Sequence, residues 1–442
     1  MSDEEASAHG GAHGGTQPLG PRRWRPTGAA KKVSPNLRAL RLTMRERARA
    51  RELREEVVLL SLRVAASTAD DESVQAALEQ LSRRRRELYD LLTYVPDPRR
   101  NVEPLVAACG SVQDALKACR YNRGDFYSYF GAQPEEVSTL ARMIFPGPIR
   151  VAHSFIASPE ESLLLLLARL RGQFSSFAAL KALFRRDEKN LCTVFGAVLR
   201  HVVDRYEHLL SPATLRDAPP ARAQLWKARF QEKHVVMFGA APSAYYNSVG
   251  LAFDGWRQEV LRSVDDMLQN QTYSGHTSRS DLLYGGVSSP DGILRCITGP
   301  VMGRHNDLAI VTAELLDALS TLEVHALGDR AFDAATTRDT GVRALLLDTN
   351  LDEVNTKEQR TRLSSLRVPI EWAFGAVQQM FPSAFRVTIN HLARENGVEA
   401  QEMLKSAVLL CNALTCMRGC NASEYFGVLP EPVAEYLRPR EE

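Results

Sequence analysis

Cysteine is scarce and unpatterned: the 442-residue chain has 7, an odd number, and no two stand in a Cys-x-x-Cys spacing. That excludes the usual zinc-ribbon and thioredoxin-like signatures and fits a reducing compartment. Cys411, Cys416 and Cys420 share an apolar helical stretch, where packing is the simpler role. Long hydrophobic runs are missing too. Leu163–Ala168 and Ala407–Cys411 fall far short of the ~20 apolar residues that a membrane span needs. The N-terminal stretch, rich in Gly, Ala, His and Arg, offers no secretory signal. A soluble, intracellular protein with no membrane attachment is expected. Net charge is also small, +2, so the chain as a whole does not advertise affinity for nucleic acid. Arginine is nevertheless concentrated early: Arg22, Arg23 and Arg25, a dense Arg/Glu run from Arg41 to Glu56, and Arg83 to Arg86. Such blocks are usually solvated helix faces or tails and less often phosphate-binding arms.

What is present suits a folded protein: 44% of residues are hydrophobic and 24% charged, and the length suggests two or three domains. Residues 1–36, rich in Gly, His, Pro and Arg, are expected to be a disordered basic tail. Residues 37–97 read as charged helix with narrow apolar stripes through Leu60, Val64, Val74, Leu78, Leu81 and Leu88. A mostly α-helical domain over 98–235 follows. Ser158-Pro159-Glu160-Glu161 supplies a helix start and Gly172 a stop. Phe174–Phe184 and Asn190–Leu210 form a pair of helices joined by Arg185–Lys189. Their spacing allows a helix-turn-helix that contacts DNA, and equally any two packed helices.

The texture then changes. Val235–Phe238 and Val249–Phe253 are β-type runs, and Tyr284–Ser288 and Ile293–Thr298 flank the turn sequence Ser289-Pro290-Asp291-Gly292. An amphipathic helix is expected over Asp307–Leu322, strands over Val324–Leu327 and Ala344–Leu347, and helices over Arg362–Phe381 and Ala400–Met417. Three antiparallel strands, a helix, another strand and terminal helices is the element order of an α/β, ribonuclease H-like mixed sheet with flanking helices. That domain is placed at 236–430, with 431–442 as a C-terminal tail.

Acids recur at the ends of these elements. Asp254 closes the run Val249–Phe253, and Asp329 follows Val324–Gly328. Asp307 opens a helix, and Glu371 follows Pro369 in what reads as the first turns of another. Each has a plain alternative: an Asp-Gly turn for Asp254, a cap or loop carboxylate for Asp329, an N-cap for Asp307, and dipole-favoured placement for Glu371. Glu371, however, is flanked by Ile370, Trp372 and Phe374, so it stands at the edge of a buried stripe and needs a cation or donor nearby. Four convergent carboxylates would suit phosphodiester cleavage, in which two Mg²⁺ or Mn²⁺ ions about 4 Å apart activate the nucleophile and stabilise the leaving oxygen.

The words around these acids occur in one order: Phe253-Asp254-Gly255, Tyr273-Ser274-Gly275-His276, Pro290-Asp291-Gly292, Gly299 through Asp307, Leu327-Gly328-Asp329, Arg367 through Gly375, and Leu410-Cys411-Asn412, with Tyr425-Phe426 and Tyr436-Leu437 closing the series. This succession resembles the PIF/Harbinger superfamily of DDE transposases and its domesticated nuclease relatives. The resemblance implies a metal-dependent DNA endonuclease with possible strand transfer. Asp254, Asp329 and Glu371 would be its catalytic residues, and with Asp307 they would hold two divalent ions, Mg or Mn. His276, Arg279, Arg304, His305 and Arg367 become candidates for contacting DNA, and equally for balancing the acids; Arg367, one turn before Glu371, would orient that carboxylate if it points inward. The resemblance also implies nuclear action, with cytoplasmic residence as a second option, and DNA, a Myb-like DNA-binding protein and a second copy of the chain as partners. Two departures stand out: Trp256-Arg257-Gln258 follows the first Asp-Gly, where the family has a small residue and soon a Pro, and Asn306 stands where it has His. They keep open a domesticated, non-catalytic DNA- or chromatin-binding protein. A helical scaffold built on 37–94, its acids mere surface caps, is the third reading.

Overall fold

The computed structural model describes residues 109–151, 155–172, 176–239, 246–260, 266–275, 277–329, 332, 342–344, 357–387 and 398–439, together with Glu56, Gln80 and Arg84. The chain divides into two compact units, Met1–Val102 and Glu103–Glu442. In the first, Glu56, Gln80 and Arg84 are helical, and Arg84 Nε lies 2.8 Å from Glu56. The tail expected over 1–36, and the rest of the charged segment to 97, lie outside the described residues.

The second unit opens with helices whose starts are written locally. Ser111 caps α1 (Val112–Ala118), Asn122 caps α2 (Arg123–Phe130), and Gln133 with Glu136 forms a capping box before α3 (Pro134–Ile144). A short hairpin, β1 (Ile149–Val151) and β2 (Phe155–Ala157), precedes α4 (Pro159–Arg171). Ser158 Oγ accepts from Glu161 N at 3.1 Å, and Gly172 ends the helix at φ +73°. Leu163 through Leu167 are all buried, so α4 is the central helix of this layer rather than a surface one. α5 (Phe177–Phe184) and α6 (Glu188–Tyr206) pack around it, whereas α7 (Pro212–Arg216) lies against the strand Leu294–Met302 and the helix Ala313–Leu322. Arg171, itself buried, donates to the carbonyls of Ser128, Gln379 and Met380 and so ties the helical layer to the helix that carries Glu371.

Val235–Phe238, expected as a strand, is the last turn of α8 (Pro220–Phe238), which Gly239 terminates at φ +71°. Val236 is 80% exposed; β-branched residues sit at a helix end facing solvent, where no sheet partner competes for them.

Seven strands make the main sheet in the order β4 (Tyr273–Ser274), β5 (Arg279–Ser288), β3 (Val249–Val260), β7 (His325–Gly328), β8 (Val342–Ala344), with β6 (Leu294–Met302) on β5 and β9 (Arg386–Val387) on β3. β3, β5 and β6 are antiparallel, whereas β7, β8 and β9 join in parallel. The Ser289–Gly292 turn joins β5 to β6 as its residues require, with Gly292 at φ +83°. This mixed α/β arrangement is compatible with a ribonuclease H-like fold.

Two apolar clusters divide the faces of the sheet. Phe253, Leu283, Val287 and Ile310 belong to one, with α10 (Ala313–Leu322). Trp256, Leu282 and Tyr284 belong to the other, with Ile370, Phe374 and Val377 of α11 (Lys357–Met380) and much of α12 (Val398–Arg418). Alternation along β3 and β5 produces the split. The helix expected over Asp307–Leu322 is broken: Asp307–Ile310 is a 3-10 turn, and Thr312 starts α10 by accepting from Leu315 N. Of the run Ala344–Leu347, Ala344 ends β8 and the remainder lies outside the described residues.

The segment read as a C-terminal tail packs instead. After α13 (Asn421–Phe426), Glu431 pairs with Arg222 and Arg295, and α14 (Val433–Tyr436) buries Tyr436. Asn412 on α12 fastens this end, accepting from Leu294 N at 3.1 Å and donating at 2.8 Å both to Leu294 O and to Tyr436 Oη. Asn412→Ala strands these buried groups, and urea unfolding is expected to show a loss of about 3 kcal/mol; an unchanged midpoint would contradict the role.

Candidate active site

Asp254 lies midway along β3, opposite Gly286 of β5. A Cβ at Gly286 would stand 2.5 Å from the Phe374 ring. Only glycine lets α11 lie this close to the sheet. Trp256, two residues on and on the same face, stacks on Phe374 with centroids 4.5 Å apart and planes at 11°. That packing fixes the register of α11 against β3 and brings Arg367 over Asp254.

Arg367 then binds two acids at once: Nη1 donates to Asp254 Oδ2, and Nη2 to Glu371 Oε1 at 2.7 Å. Its side chain is 12% exposed, against 22% for Asp254 and 49% for Glu371. The second oxygen of Asp254 accepts from Gly255 N at 2.9 Å. Burial pushes the Asp254 carboxyl above its ordinary range; Arg367 and the Gly255 N–H pull it back, and the negative charge of Asp329 adds to the rise. Glu371 sits well inside α11, not in a first turn, because Pro369 is internal to the helix. The missing N–H at Pro369 leaves one helical bond unmade, and burial of Leu366, Ile370 and Val377 on either side holds the helix together. The dipole therefore does not account for Glu371; Arg367 does.

Asp329 follows the end of β7. The parallel register pairs Ala252 with Leu327, and Asp329, just past the strand end, lies near enough for its charge to raise the Asp254 carboxyl. Leu327 shares the cluster of Trp256, whereas Phe332 lies with Phe253 on the other face and would collide with a Cβ at Gly328.

Asp307 is elsewhere. Its Oδ1 is 3.1 Å from Arg257 Nη2, and Arg257 Nη1 reaches Asp281 Oδ1 at 3.0 Å. Arg257 is odd-numbered on β3 with Phe253 and Gly255, so this trio occupies the face opposite Asp254. Here the structure separates Asp307 from the other three acids. Arg304, His305 and Asn306, all exposed, line a pocket of about 340 Å³ on that same side with Arg257, Ser274 and Asp307. Arg279 is exposed, with Glu259 3.6 Å away. His276 lies outside the described residues. Arg367, one of the candidates for contacting DNA, is engaged by carboxylates. The Arg257–Asp281 pair escaped the sequence reading, although a lone Asp leading into Leu282-Leu283-Tyr284 was a signal that a cation must be near; Asp281 is 3% exposed.

Of the three residues that depart from the resemblance, each has a structural task. Trp256 stacks, Arg257 bridges two acids, and Gln258, fully buried, donates to Ala384 O at 2.6 Å and accepts from Tyr284 Oη at 3.0 Å.

Asp254 on β3, Asp329 just past the end of β7 and Glu371 on the helix across them are the acids against which known families can be compared. Residues 253–415 match the family model of the DDE superfamily endonucleases. The match runs from β3 into α12 and takes in Asp254, Asp329 and Glu371, and Asp307 as well. No curated protein and no solved structure matches the chain. Nucleases of this superfamily normally use divalent metal ions, and carboxylate oxygens are the donors such hard cations require. The donor chemistry fits. Among the described residues no three His, Cys, Asp or Glu side chains are grouped closely enough to hold an ion, and a guanidinium, that of Arg367, bridges Asp254 and Glu371.

A raised carboxyl value means that the fold favours protonated Asp254. Its contribution to stability is complete below the unfolded value, about 3.9, and drains away as pH climbs through the folded one. Asp254→Asn stays neutral, so its melting temperature should gain on wild type as pH rises from the acid range to neutrality; a pH-independent difference would refute this.

Proposed function

We propose that the matched region is a transposase-like DNA endonuclease, with Asp254, Asp329 and Glu371 as the carboxylates that hold Mg²⁺ or Mn²⁺. The observation that carries this is the convergence of Asp254 and Glu371 on one guanidinium, with Asp329 close enough to raise the Asp254 carboxyl. Surface caps would not converge, which disfavours a scaffold whose acids are incidental. When bound, two divalent ions supply an activated water and stabilise the leaving oxygen of a phosphodiester.

The chain's own residues account for the rest. Asp254 stands on β3, Asp329 follows β7, and Glu371 is delivered by α11, itself clamped through Trp256 and Phe374. Gly255 N–H holds one Asp254 oxygen, leaving the other turned toward α11. Arg304, His305 and Arg279 are exposed side chains whose N–H groups suit DNA phosphates. Arg304 and His305, on the face opposite the carboxylates, would grip the duplex away from the cleaved bond. Asp307 we assign to positioning Arg257, in place of the fourth metal ligand expected from the resemblance. The ordered motifs favour the PIF/Harbinger branch, nuclear action, strand transfer by the liberated 3′-hydroxyl, and partnership with a Myb-like protein and a second copy of this chain.

The second reading, a DNA-binding protein that keeps the fold without catalysis, draws on the Arg367 pairing, which bridges Asp254 and Glu371. Nicking of supercoiled plasmid distinguishes them. Wild type with Mg²⁺ or Mn²⁺ should nick, and chelation should abolish it. Asp254→Asn, Asp329→Asn and Glu371→Gln should each slow nicking at least about 100-fold, the scale of several kcal/mol of transition-state stabilisation, whereas Asp307→Asn should cost much less. Equal nicking by wild type and Asp329→Asn removes the endonuclease; DNA affinity without Mn²⁺ binding would favour the second reading.

A further inference from the structure

We infer that Arg367 is a built-in competitor of the divalent cation, a residue that sets how tightly the carboxylate centre takes metal. The inference rests on the endonuclease reading above and deepens it. Its basis is which oxygens are taken. Asp254 has two: Oδ1 accepts the Gly255 N–H at 2.9 Å, and Oδ2 accepts Arg367 Nη1. The Gly255 donor is main chain on a strand paired there with β5 and cannot withdraw. The guanidinium sits at the end of a flexible side chain and can. An ion shared by Asp254 and Glu371 must approach through Asp254 Oδ2 and a Glu371 oxygen, and Arg367 engages one on each residue.

The arginine's own surroundings point the same way. Its Nε is buried with no hydrogen-bond partner, so the head group is held by the two carboxylates rather than by a scaffold of its own. A structural arginine is normally fixed by several acceptors; this one has spent both terminal nitrogens on the acids. Because guanidinium stays charged at every accessible pH, its repulsion of an incoming dication is permanent. Asp254 and Glu371 are therefore compensated without metal, and metal uptake requires Arg367 to swing aside. Removing the arginine should raise metal affinity, whereas loss of a merely structural residue lowers or leaves it.

Titration of the full-length chain with Mn²⁺ alone, free ion followed by electron paramagnetic resonance, tests this without reference to activity. Arg367→Gln should bind Mn²⁺ about tenfold tighter than wild type or more. Arg367→Lys keeps the charge but loses the fork that spans two carboxylates, and should fall between them. It also serves as the test if circular dichroism shows that the Gln variant has not folded. Mn²⁺ affinity unchanged or weakened in a folded variant overturns the inference while leaving the endonuclease standing. Absence of Mn²⁺ binding in wild type and both variants overturns the endonuclease reading itself, and the inference with it.

Discussion

The contact between Arg367 and the carboxylates of Asp254 and Glu371 joins the two structural layers that matter most, since Asp254 belongs to the sheet and the other two to α11. A half-buried carboxylate without a partner carries a large desolvation cost. The chain meets that cost by placing a cation one helical turn from the second acid, so that helix and strand are mutually dependent. Everything nearby serves to keep the distance short. Gly286 removes a side chain from under the helix, Trp256 and Phe374 lock the stack, and Arg171 holds the far end of α11 to the helical layer. A site in which opposite charges come together in this way is stable at rest.

Much of this was legible from local chemistry. Caps at Ser158 and Gly172 and the turn at Pro290-Asp291-Gly292 are short-range signals, and short-range signals survive without knowledge of the fold; Asp254, read as closing a β-type run, lies instead midway along β3. The acids Asp254 and Asp329 could be nominated because each follows a β-type run and stands in the ordered motifs of the resemblance. Other features depended on what packs against what. Val235–Phe238 has the composition of a strand yet extends α8, as nothing in four residues reveals that a helix is already running. Pro369 suggested a helix start, and buried neighbours on both sides carried the helix through it. Glu431 and Tyr436 looked like a tail because their partners, Arg222, Arg295 and Asn412, are distant in sequence.

Asp307 shows a different limit. Its neighbours in sequence, Arg304 to Asn306, and the match over 253–415 place it in the same company as the other acids. What sends it to the opposite face is Arg257, whose odd position on β3 could not be weighed until β3 was known to run unbroken through Asp254. The same residue had looked like a mark of divergence. With Trp256 and Gln258 it proves to be part of how this chain supports its sheet, Arg257 on one face and the other two on the opposite one.

β3 assigns neighbouring side chains to opposite sides of the sheet, Asp254 to one and Arg257 to the other. The strand consequently works as a ruler as well as a scaffold. Substitutions near the acid can be absorbed one at a time, but gaining or losing a single residue between these two positions would send one of them through the sheet to the wrong partner, leaving an arginine among apolar rings or an acid beside Asp281. Drift in this stretch is thus confined to changes of identity at constant length, and even a heavily diverged descendant of this chain should keep that count.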